Sequence, residues 1–189
     1  DVVRAGKARY VGFCNLPAWY AMKANAHAAS RGFARYESAQ VYYTVAGRDI
    51  EREIVPFAED QGLAIMPWSP LAGGLLSGKF LRDGKGPQGS RRAAFDFPIV
   101  DKDRAFDVIE AMQPIAAAHG VSVARIALAW LLHQRQVTSV IIGAKTAEQL
   151  ADNLAAAEVK LSGDELKALN EASALPREYP GWMLERQSG

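Results

Sequence analysis

The sequence has a single cysteine, almost no net charge and no long apolar run. Cys14 alone cannot form an internal disulfide, so the expected compartment is the cytoplasm. A formal net charge of +1, with basic residues scattered along the chain, gives no electrostatic basis for binding nucleic acid or an anionic membrane. No stretch approaches the ~18 consecutive apolar residues of a transmembrane helix. His27, His119 and His133 lack metal-like spacing, so we expect no metal site.

The start of the chain carries no apolar segment after a charged residue and does not predict a signal peptide. Gly6 followed by Lys7 is typical of the end of a helix, which predicts that the chain begins inside a helix, as a piece of a longer protein would. The length of 189 residues, 49% of them hydrophobic and 23% charged, predicts a single domain over residues 1–189.

Four short segments rich in β-branched and aromatic residues predict buried strands. They span residues 9–14, 38–43, 63–68 and 137–142. Because they lack polar alternation, they favour a parallel sheet covered by helices. This order fits a βα barrel or an open doubly wound sheet, and the absence of a G-x-G-x-x-G turn after the first strand disfavours the second.

Helices are predicted where apolar periodicity follows a capping residue. The predicted helices cover residues 17–30, 49–61 with a kink at Pro56, and 101–119, and three more start after Ser122, Thr146 and Ser162. Gln149 and Glu165 each lie three residues after a cap, which predicts two capping boxes. Irregular structure is predicted for the long loop 77–100 and the tail 175–189.

Ligands of βα proteins bind beyond the carboxyl ends of the strands. The residues at these ends are amides, a flat aromatic, small residues and a lysine before a capped helix: Asn15, Gln40, Trp68, residues 69–74 and Lys145. Amides suit a carboxamide, an aromatic face suits a planar ring, and a helix start suits a phosphate. The sequence therefore predicts a nucleotide site at this edge.

Four segments in this order and spacing resemble the aldo-keto reductases: residues 4–15, Gln40, the run WSPLAGGLLSGK at residues 68–79, and residues 141–153. The resemblance covers essentially the whole chain. It is closer to the bacterial and potassium-channel β-subunit-like branch than to the mammalian aldose reductases. It implies an α/β fold of the (βα)8 TIM-type barrel, of which this chain corresponds to strands five to eight with their helices, a half barrel.

The resemblance also implies an oxidoreductase that reduces a small-molecule aldehyde or ketone with hydride from NADPH. By that resemblance, Asn15 and Gln40 would hydrogen-bond the nicotinamide carboxamide, and Trp68 would stack on the nicotinamide ring. The residues implied at the pyrophosphate are Ser69, Leu71 and Gly73, with Lys79 and Arg91 reaching over it from the loop 77–100. That loop is therefore interpreted as a cofactor-side loop.

At the other end of the cofactor, the resemblance implies that Lys145 approaches the adenosine 2′-phosphate. Gln149, Asp152 and Asn153 would hold the adenine and ribose. The family usually has Lys and Ser where this chain has Gly143 and Ala144. The preference for NADP over NAD therefore stays open. A second departure is Cys14, which stands where the family usually has Ser, a better hydrogen-bonding group.

The family's catalytic Tyr, Lys, Asp and His lie on the first four strands, to which nothing in this chain corresponds. We therefore assign no catalytic residue, not even Tyr42, Tyr43 or His133, and expect the chain alone to be inactive. The alternative function is a non-catalytic nucleotide-binding or assembly module. A half barrel has two unpaired sheet edges and an uncovered apolar face, so we expect self-association or pairing with the missing amino-terminal half.

Each site residue also has a purely structural interpretation. Asn15 is a possible turn residue, Trp68 a possible plug at the sheet end, and Lys145 a possible solvated lysine. Gln149 is already explained by capping, and Asp152 with Asn153 fits an exposed helix face. Arg91 and Arg92 are better explained as mobile surface charges than as clamps over a ligand. The segment Tyr179–Met183 is a candidate to reach the substrate pocket.

Overall fold

A computed structural model of the chain describes residues 1–83, 86, 92 and 95–187. Arg91 lies outside the described residues. The chain begins with a helical turn that ends at Gly6, whose φ is 69°. The backbone N–H of Lys7 donates to the carbonyl of Val2 at 2.9 Å, which confirms the predicted helix end.

The sheet contains three parallel strands in the order β1-β2-β3. They are β1 (Val11–Cys14), β2 (Tyr36–Tyr42) and β3 (Ala64–Trp68). Cys14 pairs with Gln40, and Tyr42 pairs with Trp68, so the carboxyl ends of the strands lie together. The three predicted strands and their parallel arrangement are confirmed, with ends shifted by one or two residues.

The fourth predicted strand, residues 137–142, forms only a single β-bridge between Val137 and Ile65. The chain still runs beside β3, since Thr138 donates to Ile65 and Ile141 donates to Pro67 at 3.0 and 2.9 Å. Pro67 has no N–H to return a bond. The ladder therefore ends there, and the prediction of a full strand is wrong for this reason.

The helices before the long loop are α1 (Ala18–Ser30) and α2 (Ile54–Gln61), with a 3₁₀ turn at Asp49–Arg52. Pro17 is the N-cap of α1. The predicted kink at Pro56 is instead a break at Glu53, because Pro56 lies in the first turn of α2, where proline costs nothing. Gly62 ends α2 with φ 66°, as predicted.

The later helices are α3 (Lys102–His119), α4 (Val123–Leu132), α5 (Ala147–Leu154) and α6 (Gly163–Ala172). Their N-caps are Asp101, Ser122, Thr146 and Ser162, and each side chain accepts a backbone N–H. The three predicted caps among these are confirmed, and so is the capping box of Ser162 with Glu165.

Three further short elements are found among the described residues. A 3₁₀ helix at Ala155–Glu158 follows α5. Another at Ala72–Ser77 follows β3, so the described part of the cofactor-side loop begins at Gly78. The prediction of an irregular tail is wrong for Gly181–Gln187, which form α7. Leu184 donates to the carbonyl of Pro180 at 3.0 Å. Pro180 therefore precedes the helix, where its missing N–H does not matter.

The core has two parts. The larger one joins α3, α4 and α6 around Met112, Trp130 and Leu169, and the smaller one joins the sheet to α1 and α2 through Phe13 and Ile65. The buried strand residues all lie on this face of the sheet: Phe13, Ala39, Val41, Ile65 and Pro67. The alternate positions form the second face of the sheet, which is exposed or half-buried in the described structure.

No single helix of the described residues is long and apolar enough to cross a membrane. The pair α3 and α4 passes that test together, by length and composition, but a bend of 97° separates the two helices. Both helices supply buried residues to the larger core, including Val108 and Ile126.

Candidate functional site

A cavity of about 880 Å³ lies at the carboxyl end of β3. Its walls come from the segment after β3, from residues 141–153 around the start of α5, and from single residues such as Phe97. All predicted site residues except Asn15 and Gln40 line it: Trp68, Ser69, Leu71, Gly73, Lys79, Lys145, Gln149, Asp152 and Asn153. Residues up to 85 positions apart in sequence therefore share one cleft, as the strand order requires.

Asn15 does not line the cleft itself but is hydrogen-bonded to Trp68, which does. The indole Nε1–H of Trp68 donates to Oδ1 of Asn15 at 3.0 Å, which fixes the edge of the indole. Asn15 has φ 54°, a conformation that asparagine tolerates better than most residues. Gln40 is half-buried and pairs with Met66 inside the sheet, and it does not line the cleft.

The turn after β3 has an unusual backbone. Ser69, Ala72, Gly73 and Gly74 all have positive φ, between 50° and 97°. Ser69 Oγ accepts the N–H of Gly73 at 3.1 Å, which leaves its hydroxyl hydrogen to donate elsewhere. A Cβ on Gly73 would lie 2.6 Å from the carbonyl oxygen of Phe97, so this position requires glycine for space as well as for conformation.

The start of α5 forms the far end of the cleft. Thr146 Oγ1 accepts the N–H of Gln149 at 3.2 Å, as an N-cap does. In a complete capping box, Oε1 of Gln149 would accept the N–H of Thr146. It accepts the N–H of the preceding residue, Lys145, at 2.9 Å. The capping box at Thr146 is therefore only half formed. The side chain of Lys145 remains exposed at the cleft wall.

Asp152 is held by partners on α4. Its carboxylate accepts from Ser122 Oγ at 2.5 Å and from Nε and Nη2 of Arg125 at 2.9 and 2.5 Å. Burial alone would raise the pKa of Asp152, but these bonds and the charge of Lys79 outweigh it and hold the pKa below its usual range. Asn153 Nδ2 donates to the carbonyl of Gly143 at 3.3 Å. Asp152 therefore joins α5 to α4, and Asn153 joins α5 to the segment before it, while both residues also line the cleft.

Lys79, Lys145 and Arg125 lie around or beside the cleft, against the single carboxylate of Asp152 that lines it among the described residues. This balance, with the start of α5 and the hydroxyl of Ser69, suits an anionic ligand. The cavity volume lies within the range of sites that enclose a small molecule, about 300–1,000 Å³.

Two residues of the long loop were missed or misread in the sequence. Arg92 was interpreted as a mobile surface charge, but its side chain is 5% exposed. It donates to the carbonyls of Ala72 and Pro98 at 2.6 and 3.2 Å and pairs with Asp96 at 2.8 Å. Phe97 stacks on Trp68, with ring centroids 5.9 Å apart and planes 11° apart. The sequence signal that could have indicated Phe97 was the pair of phenylalanines, Phe95 and Phe97, in an otherwise polar loop.

The fold and the cleft define an α/β protein whose cavity lies beyond the carboxyl end of a parallel strand, with a wall suited to phosphate. A sequence model described as the aldo/keto reductase family matches residues 1–174. The chain belongs to the aldo/keto reductase family. Members of that family form α/β barrels of the (βα)8 type and generally use NADP(H).

Individual relatives agree with this assignment. The chain is 38% identical over 169 residues to the uncharacterized oxidoreductase YrpG of Bacillus subtilis, covering 89% of this chain and 50% of that protein. It is 30% identical to versiconal hemiacetal acetate reductase of Aspergillus parasiticus, covering 96% and 53%. It is 31% identical to norsolorinic acid reductase stcV of Emericella nidulans, covering 95% and 44%. The chain thus spans about half the length of these curated relatives.

Proposed function

We propose that this chain binds NADP(H) and forms the cofactor-binding part of an oxidoreductase that reduces an aldehyde or ketone by hydride transfer. The observation that carries the proposal is the shared cleft: Trp68 and Lys145, 77 positions apart in sequence, line a single cavity of about 880 Å³. The family membership and the oxidoreductase names of relatives support the same class of reaction.

The residues present fit the proposed cofactor. Asn15 and Trp68 would meet the nicotinamide end. Gln40 does not line the cleft, so the implied bond from Gln40 to the carboxamide is not part of this proposal. The strained turn at Ser69, Leu71 and Gly73 would lie along the pyrophosphate, with Lys79 opposite. A turn of small residues allows close backbone approach to phosphate, and the free hydroxyl hydrogen of Ser69 supplies a donor.

The adenosine end would be held by Gln149, Asp152 and Asn153. Lys145 would pair with the 2′-phosphate, which makes NADP(H) the proposed cofactor over NAD(H). Gly143 and Ala144 offer no second cation there, so we expect the preference to depend on Lys145.

NADPH supplies a hydride when bound, and the product alkoxide then needs a proton from a general acid. We assign no such acid in this chain. Tyr43 donates to Glu51 at 2.6 Å and is buried in the larger core, and burial raises its pKa. Burial also raises the pKa of Tyr42. We propose instead that the chain supplies strands five to eight of a barrel of the channel-subunit-like branch, and that the other strands supply the acid and cover the open sheet face.

Calorimetric titration tests this proposal. We expect the chain to bind NADPH more tightly than NADH, and Lys145→Ala to abolish most of that difference, since a charge-assisted pair is worth about 1.5–3 kcal/mol. Lys167→Ala is the matched control, because Lys167 is 73% exposed on α6, outside the cleft.

The same samples are then mixed with NADPH and a generic aldehyde. We expect no oxidation of NADPH by the chain alone. Measurable turnover would contradict the proposed lack of an acid, and failure to bind either dinucleotide would contradict the cofactor site itself. Binding without turnover, even when strands one to four of a relative are added, would instead favour the non-catalytic module.

A further inference from the structure

The indole of Trp68 has two aromatic neighbours, Phe97 stacked on it with ring planes 11° apart and Tyr42 tilted against it at 46°. Tyr42 lies 5.2 Å from it between ring centroids, and Phe97 lies 5.9 Å from it. A third ring needs about 3.5 Å on each side, so about 7 Å between the rings that flank it. A planar ligand can therefore stack on the face of Trp68 that Phe97 covers only if Phe97 moves away.

Tyr42 is held in place. It belongs to β2, where it pairs with Trp68 in the parallel register. Its phenol packs over Gly47, at which an added Cβ would lie 2.8 Å from Tyr42 Cε1. Gly47 itself is fixed by two backbone bonds with Thr44, at 3.2 and 3.1 Å. Moving Tyr42 would require this turn and the strand to rearrange.

Phe97 is held far less firmly. Its residue is 39% exposed, and residues 95–100 belong to no helix or strand. The hydrogen bonds between this segment and the turn after β3 come from Arg92, which donates to the carbonyls of Ala72 and Pro98 and pairs with Asp96. The carbonyl of Phe97 also packs closely against Gly73. Asp96 is in turn paired with Lys102 at the start of α3.

We propose that Phe97 is an internal competitor for the nicotinamide: in the free chain its ring fills the stacking surface of Trp68, and binding of the dinucleotide exchanges one ring for the other. This inference rests on the proposed function, since it needs a nicotinamide that stacks on Trp68. It adds Phe97 as a residue that sets the affinity for the nicotinamide end. Arg92 is the residue that positions it.

The exchange affects only one end of the ligand. Lys145 and Gln149 line the cleft at the start of α5, and the aromatic contacts of Phe97 among the described residues are with Trp68 and Phe95. A ligand without nicotinamide, such as 2′,5′-ADP, should therefore bind independently of Phe97. An aromatic pair of this kind changes an equilibrium by about two- to tenfold, which sets the size of the expected effect on NADP⁺.

The test measures the Kd of NADP⁺ and of 2′,5′-ADP by calorimetry for the unchanged chain, Phe97→Ala, Phe97→Leu and the control Ile99→Ala. Ile99 lies two residues further on and is 89% exposed. We expect Phe97→Ala to bind NADP⁺ about two- to tenfold more tightly, Phe97→Leu to show a smaller gain, and the control to show none. The Kd of 2′,5′-ADP should be the same for all four. The leucine variant keeps the test valid if the alanine variant folds poorly.

Unchanged or weaker NADP⁺ binding by both Phe97 variants, with 2′,5′-ADP bound normally, would overturn the exchange and leave the cofactor site standing. Weaker binding would mean that Phe97 is a wall of the site. If neither ligand binds any variant, the proposed function fails and this inference fails with it.

Discussion

At the scale of single residues, the hydrogen bond between Trp68 and Asn15 forms the nicotinamide end of the proposed site. Asn15 and Trp68 were each predicted at the carboxyl end of a strand, and parallel pairing brings such ends together. The bond between Trp68 Nε1 and Asn15 Oδ1, at 3.0 Å, was not predictable, because it depends on the positive φ of Asn15. The same holds for Ser69 and Ala72, whose sequence contains no sign of a left-handed backbone.

Two variants of Asn15 test the contact between Asn15 and Trp68. Asn15→Gly removes the carboxamide, and glycine adopts a positive φ without strain. Asn15→Ala also removes the carboxamide, and alanine at this φ adds strain of about 1–2 kcal/mol. We expect both variants to weaken NADP⁺ binding several-fold, because Trp68 loses the partner that fixes its edge. Both variants lose the bond to Trp68, and the alanine variant should be the less stable of the two in urea unfolding, because only alanine is strained at the positive φ. Normal NADP⁺ affinity in the glycine variant would show that the bond is structural only.

Arg92 is a residue whose burial the sequence did not predict. Its charge and its position in a glycine-rich stretch favoured a solvated side chain, and nothing local predicted that Ala72, 20 residues earlier, would accept its hydrogen bond. Contacts of this kind depend on how a loop folds back, which residue propensities do not encode.

At the scale of elements, caps and glycine ends were predictable because they are local. Ser122, Thr146 and Ser162 start helices where expected. The helices predicted to end at residues 61 and 119 do end there, each followed by a glycine of positive φ, Gly62 at 66° and Gly120 at 64°. The absence of a full fourth strand was not predictable, because the hydrogen bonds of that strand depend on β3 beside it. Pro67 in β3 has no N–H to donate to it.

The anchoring of α5 predicts a pH dependence. The pKa of Asp152 is held below its usual range, so its contribution is complete above the unfolded value near 3.9 and is lost as the pH falls through the lower folded value. At pH 7 we expect Asp152→Asn to lower the free energy of unfolding by about 1–2 kcal/mol. The gap between the variant and the unchanged chain should shrink below about pH 4.

Urea unfolding at pH 7 and at pH 3 measures this gap. Asp103→Asn, at an exposed carboxylate in the first turn of α3, is the control and should show a smaller gap. A gap for Asp152→Asn that stays constant between the two pH values would mean that the carboxylate charge does not stabilise the contact of α5 with α4.

At the scale of the whole molecule, the parallel order of the strands could be predicted, since apolar segments alternated with capped helices. The exposure of the second sheet face could not be predicted. The strands lack polar alternation because the second face carries small or apolar residues such as Gly12 and Met66, yet it is half-buried or exposed in the described structure. A strand's composition indicates what its faces can pack against, and the covering elements decide whether they do.

The central claim is that both ends of one dinucleotide lie in one cleft. The most direct measurement is a titration of ¹⁵N-labelled chain with NADP⁺, followed in ¹H–¹⁵N NMR spectra. The account predicts that the Trp68 indole N–H, the Asn15 side-chain amide and the Lys145 backbone N–H shift together with a single Kd. The buried indole N–H of Trp130, bonded to Asn170 at 3.1 Å, should stay in place. Shifts at only one end, or at the two ends with different Kd values, would contradict the account.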